Sequence, residues 1–137
     1  MINSFYMNLK GIIPSQLYIS EEKLKAVNSR FIPADIDCYE PLPIKNLNGI
    51  ILFTDGHTRA LASYLSGVEE IKVYWDDDEL DWDAYIECVN WCKEDHINWI
   101  GDLAERIITH ETYQKLWLDR CQQMQERLQG ERIKEIT

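Results

Sequence analysis

Apolar positions along the chain change period several times, and each change predicts an element. Ser20 followed by Glu21 and Glu22 reads as a helix start: a hydroxyl cap, then acids near the positive end of the helix dipole. Leu24, Val27 and Phe31 mark its apolar face, and Pro33 stops it. Residues 34–41 read as an irregular loop. Leu42–Leu47 alternates loosely and Ile50–Thr54 is apolar and β-branched, with Asn48-Gly49 between them, a pair suited to a type I′ turn. This predicts a β-hairpin, with Pro43 at a sheet edge or at the start of its strand. Leu61, Tyr64, Leu65 and Val68 then fall at helical spacing, with Gly67 as the C-terminal stop. Ile71, Val73 and Trp75 share one side of a further strand.

The second half reads as helical. Asp76–Glu79 leads into a helix carrying Trp82, Tyr85, Ile86, Val89 and Cys92, and Ile100, Leu103 and Ile107 mark a short one. Thr109 caps a long final helix with a stripe of Tyr113, Trp117, Cys121, Met124 and Leu128; Gly130 is expected to end it, and the last seven residues to fray. The stripe reads as intramolecular core, and the length of the helix also leaves room for a homodimer through it. The expected fold class is α+β: a small mixed sheet with helices over residues 1–78, then a C-terminal helical extension over 79–137 packed on it.

Composition narrows the functions. In 137 residues, 45% are hydrophobic and 28% charged, so the chain can bury a core. Lys and Arg number 14 against 24 Asp and Glu, a net charge of −10. Affinity for nucleic acid through phosphate neutralisation is therefore not expected, nor is an anionic membrane surface. Residues 95–137 hold eight acids and six bases with no basic face, which argues against a DNA reader. No apolar run approaches a membrane span, and the start MINSFYMNLKGIIP has no signal-peptide pattern. Cys38, Cys88, Cys92 and Cys121 are expected to be reduced thiols of a cytoplasmic protein.

The chemistry concentrates in Phe53-Thr54-Asp55-Gly56-His57-Thr58-Arg59-Ala60. Gly56 permits a tight turn and close backbone approach, and the next residues open a helix whose free N–H groups attract anions. Arg59, one turn in, offers a forked donor to phosphate oxygens. The bland alternative is a plain strand-to-helix turn in which Asp55 caps, Gly56 satisfies geometry and Arg59 is solvated.

The order of pieces around this box resembles the ParB/sulfiredoxin superfamily over roughly Pro14 to Trp75. The matching segments are Leu42-Pro43-Ile44-Lys45, the box Asp55–Ala60, Gly67-Val68-Glu69-Glu70-Ile71-Lys72-Val73, and the upstream Pro14…Leu17…Ser20–Leu24. The resemblance implies a nucleotide-phosphate site: ATP or ADP in sulfiredoxins and free-serine kinases, CTP in the chromosome-partitioning proteins. Gly56 and Arg59 carry over. His57 stands where sulfiredoxin has its catalytic cysteine, which argues against sulfinic-acid repair, and Thr58 stands where the partitioning proteins have a second Arg. The Asp-Gly-His-x-Arg form is closest to the serine-kinase-like branch. The stretch nearest to that branch's catalytic Glu, Pro14-Ser15-Gln16-Leu17, has no carboxylate; Glu21, Glu22 and Glu40 are the nearby substitutes.

The expected ligand contacts are therefore Gly56, His57, Thr58 and Arg59, with Asp55 and His57 as the catalytic candidates and Mg²⁺ accompanying ATP or ADP on the phosphates. Cys88, Cys92 and His96 recur every four residues, but three ligands on one helix span about 12 Å. A core-facing role is expected instead, and no metal site. The acidic run Asp76–Asp83 lacks an EF-hand pattern and reads as a solvated helix start. Two classes of function fit the whole: a phosphotransferase acting on a small molecule, and a non-catalytic binding or regulatory module.

Overall fold

The computed structural model describes residues 3–30 and 40–136. Phe31, Pro33, Cys38 and most of the expected loop 34–41 lie outside the described residues. The fold is α+β, with a mixed sheet in the first half and helices dominating the second.

Four strands form the main sheet in the order β1 (Ser4–Asn8), β5 (Glu70–Trp75), β3 (Leu42–Leu47), β4 (Ile50–Phe53). β3 and β4 are the expected hairpin, and Asn48 and Gly49 take the φ values of 52° and 91° that its turn requires. β3 is an interior strand, paired with β5 in parallel on its other side. Pro43 is tolerated there because it stands at the start of the strand, before pairing with β4 begins at Ile44. The sequence reading misses β1. Only Phe5 and Met7 of its alternating residues are half-buried, so its periodicity is weak; antiparallel pairing with β5 and the Phe5–Trp75 ring contact hold it.

Beyond β1, Ile13 bridges the outer edge of β4: its N–H donates to Ile51 O at 2.9 Å, and Phe53 N–H donates to Ile13 O at 3.0 Å. This bridge brings Ser15 to the end of β4, where α2 (His57–Leu65) begins. Ser20 caps α1 (Glu21–Asn28), as its sequence predicts. α2 buries Ala60, Leu61, Ala62 and Ser63 but leaves Leu65 exposed, in contrast to the expected apolar face. Small side chains let that part of the helix approach its neighbours, and burial follows proximity.

α3 (Trp82–Glu94) starts at the cap Asp81 and buries Ala84, Cys88, Val89 and Cys92. Ile86 is exposed, and His96 lies past the helix end in a left-handed conformation, off the cysteine face. The predicted short helix is a 3₁₀ turn, Ile100–Glu105. Ile107 leaves it for a strand, β6 (Ile107–Ile108), which pairs in parallel with β2 (Ile19–Ser20). Two-residue strands carry no period, which is why the sequence does not announce them.

Thr109 caps α4 (His110–Tyr113), which continues through a π-helical stretch (Gln114–Leu118) into α5 (Asp119–Ile136). Tyr113, Trp117 and Met124 of the predicted stripe are buried in the same apolar cluster as Leu9, Ile44, Phe53, Leu61 and Cys88; Cys121 and Leu128 pack against it. Contrary to expectation, Gly130 does not end the helix. Ion pairs hold the turns on either side of it: Arg127 with Glu87 of α3 and with Glu131, and Arg132 with Asp81 and Asp83. Among the described residues no helix is long and apolar enough to cross a membrane.

Gly130 therefore sits in a helix interior with open space where a Cβ would be. Gly130→Ala should stabilise the protein by about 0.5–1 kcal/mol in urea unfolding. A loss of stability would mean that the helix stops at Gly130.

Candidate functional site

The box occupies the junction between β4 and α2. Gly56 is the N-cap residue of α2 and stands at φ 78°, ψ 18°. A Cβ there would meet Leu42 Cδ2 at 2.7 Å, so the turn and the packing of β3 both require glycine. Asp55 precedes the cap rather than forming it, in contrast to the expected N-cap role. Its Oδ1 accepts the Gly56 N–H at 2.8 Å, and the rest of the residue is exposed. Among the described residues no side chain caps the helix, so its first-turn N–H groups keep their affinity for an anion.

The helix directs its first residues two ways. His57 turns inward and is buried. Its Nε2 accepts the Ser15 N–H at 2.9 Å, which places the proton of the neutral ring on Nδ1. Burial lowers its pKa from 6.5 to about 4, with Asp55 opposing. Ser15 Oγ lies 3.5 Å from the same nitrogen but donates to Phe53 O at 2.8 Å. The Ser–His couple is therefore a structural clasp, with neither the hydroxyl proton nor the ring lone pair free for nucleophilic catalysis.

Thr58 and Arg59 are half-buried and do not line the cavity described below. Arg59 lies toward β5, where it lowers the Tyr74 pKa against the larger upward pulls of burial, Asp76 and Asp78. Among the described residues Arg59 has no ion pair. By contrast, Arg106, Arg127 and Arg132 are paired with carboxylates and Arg120 lies over Trp91. Asp76 is held nearby: Thr54 Oγ1 donates to its Oδ2 at 2.9 Å, and the Asp78 N–H donates to its Oδ1. The sequence reading treats Asp76 as part of a solvated run; only its contact with Thr54 draws it to the box.

A cavity of about 180 Å³ opens beside the inward side of the box. Asp55, His57, Ser15 and Gln16 form one wall; Tyr85, Cys88, Trp117 and Cys121 belong to the other. Trp117 comes from the π-helical stretch, a distortion frequent at functional sites. Tyr85 OH donates to Thr54 O at 2.9 Å, tying α3 to the end of β4. The structure thus brings Asp55 and His57 to the cavity and leaves Arg59 outside its lining, near Tyr74 of β5. Glu21 pairs with Lys25 on α1, and neither Glu21, Glu22 nor Glu40 lines the cavity. Ser15, Gln16, Tyr85 and Cys121 escape the sequence reading as site residues because they meet through packing of distant segments. Among the described residues no group of three or more His, Cys, Asp or Glu could hold a metal ion.

No family model matches the chain, and no curated protein matches it. Among solved structures it is similar to protein Atu1540 from Agrobacterium tumefaciens, at 13% identity with a TM-score of 0.47. The match covers 72% of this chain and 51% of that one, so the chain spans about half the length of that protein.

The His57 clasp makes stability pH-dependent with a definite sign. Below its ordinary pKa of 6.5 the unfolded chain binds a proton that the folded chain refuses until about pH 4. Stability contributed by neutral His57 is therefore lost as pH falls through that window, by about 2 kcal/mol between pH 7 and pH 5. His57→Gln, which keeps an acceptor for the Ser15 N–H but does not titrate, should flatten that part of the profile in urea unfolding series. An unchanged slope would remove His57 as its source.

Proposed function

We propose that the Asp55–Arg59 box binds the phosphate of a nucleotide or of a small phosphorylated molecule. The observation that carries this reading is the start of α2: a helix N-terminus behind a left-handed glycine, with no side-chain cap bond, and in its first turn Arg59, which has no ion pair among the described residues. The resemblance to the ParB/sulfiredoxin superfamily points the same way, with ATP or ADP as the nucleotide. Asp76, whose Oδ2 accepts the Thr54 hydroxyl beside the box, is the carboxylate placed to share Mg²⁺ with bound phosphates, a cation that needs only one or two from the protein. A cytoplasmic location accords with free Cys88, Cys92 and Cys121.

In a phosphotransferase of this design, Arg59 and the α2 N–H groups would hold phosphate oxygens. Asp55, exposed at the seam between box and cavity, would take the proton of an acceptor hydroxyl. One observation favours the second reading, a binding or regulatory module without turnover. His57, the other catalytic candidate, is buried, neutral and committed to Ser15.

Calorimetric titration with ATP, ADP, CTP and inorganic phosphate, each with and without Mg²⁺, tests the proposal. Arg59→Ala should weaken binding by roughly 1.5–3 kcal/mol, about tenfold to more than a hundredfold, at unchanged melting temperature. Arg59→Lys should recover part of it, keeping the charge but losing the fork. Absence of binding by the wild type, or equal binding by Arg59→Ala, would overturn the assignment. Nucleotide turnover assays on the wild type then separate the two readings.

A further inference from the structure

The 180 Å³ cavity beside the box has a lining whose polar groups are unevenly spent. Its three hydroxyls donate within the protein: Ser15 to Phe53 O, Tyr85 to Thr54 O, and Thr54 to Asp76. Gln16 uses its side-chain N–H groups on Tyr18 O and the Tyr113 hydroxyl. Asp55 gives Oδ1 to the Gly56 N–H and, among the described residues, has no ion pair. No Lys or Arg is among the described residues that line the cavity, and His57 is neutral there. The lining therefore offers a solute a carboxylate and withholds most of its donors. Ala84 and Met124 add apolar surface, and Trp117 adds an indole ring, the strongest aromatic partner for a cation.

We propose that this cavity binds a small primary alkylammonium ion, with its N–H groups on Asp55 and its chain among Ala84, Trp117 and Met124. A charge-assisted hydrogen bond to a carboxylate is the strong contact such an ion needs, and the apolar wall takes the alkyl chain. Size limits the chain. At about 30 Å³ per water the cavity holds the volume of roughly six waters, which suits an amine of about five heavy atoms. The same lining disfavours an α-amino acid, whose carboxylate would stand beside Asp55 with no lysine or arginine to receive it. This assignment is independent of phosphate binding, because Arg59 lies outside the lining. An ammonium seated on Asp55 occupies the remaining candidate base, which accords with a binding module rather than a phosphotransferase.

The test is NMR titration of the whole protein with n-butylammonium chloride, in the absence of phosphate and nucleotide, so that its outcome is separate from that of the phosphate titration. Saturable binding is expected, with intermolecular NOEs from the butyl chain to the Ala84 and Met124 methyl groups. Two probes of similar chain isolate the charge: butan-1-ol, which lacks it, and norvaline, which adds the α-carboxylate. Each should bind at least tenfold more weakly. Asp55→Ser, which keeps an oxygen acceptor but not the charge, should weaken butylammonium binding at least tenfold. Gln125→Glu, which adds a carboxylate at an exposed position of the lining, should tighten it severalfold. Circular dichroism melts check that both variants fold; if either fails, the other variant and the three probes on the wild type decide. Absence of saturable binding, equal binding of either control probe, equal binding by Asp55→Ser, or NOEs instead to Ile86 and Leu128 of the acid-rich groove between α3 and α5 would overturn the proposal.

Discussion

The hydrogen bond from the Ser15 amide to His57 Nε2 is the contact on which the site depends. It joins the extended segment beyond β1 to the first residue of α2, while the Ser15 hydroxyl closes onto the last carbonyl of β4. Strand end, helix start and N-terminal segment are thereby fixed to one another around a single imidazole. The bond needs a neutral ring, and burial keeps it so. A histidine that looks like a catalytic base in sequence is spent on architecture.

The division of labour along α2 follows from this. With His57 turned inward, Arg59 lies outside the cavity lining and near Tyr74 of β5. Asp55 stays exposed between the two, held to the Gly56 amide. The box therefore has a cationic side, with Arg59 and free amides, and a cavity side, with Asp55 and the clasp. The glycine that permits both is fixed twice over, by its left-handed backbone and by the Leu42 methyl that would meet any Cβ.

The helical half closes the cavity and joins the same core. α3 presents Cys88 and Tyr85, and the π-helical stretch presents Trp117. The ends of α3 and α5 are held together on the outside by Arg127 with Glu87 and Arg132 with Asp81. On the inside Cys88 and Cys121 line the same cavity. Exposed ion pairs add little stability individually, so most of the hold comes from Trp117, Met124 and the apolar side chains around them.

Local physics was enough to read the hairpin at Asn48-Gly49, the Ser20 and Thr109 caps, the core-facing Cys88 and Cys92, and the glycine turn at the box. Each depends on residues within a few positions of one another: a positive φ, a hydroxyl before a helix, a repeat of four. Tertiary contact decided the rest. β1, β2 and β6 exist because distant strands offered hydrogen-bond partners, not because their own patterns demanded extension. α5 passes Gly130, and beyond it Arg132 pairs with Asp81 and Asp83 at the start of α3. The orientation of His57 and the approach of Asp76 to the box both join segments separated by many residues. Side-chain spacing along one element fixes which residues share a face; which distant groups that face meets depends on how the elements pack, and that pairing has no local signature.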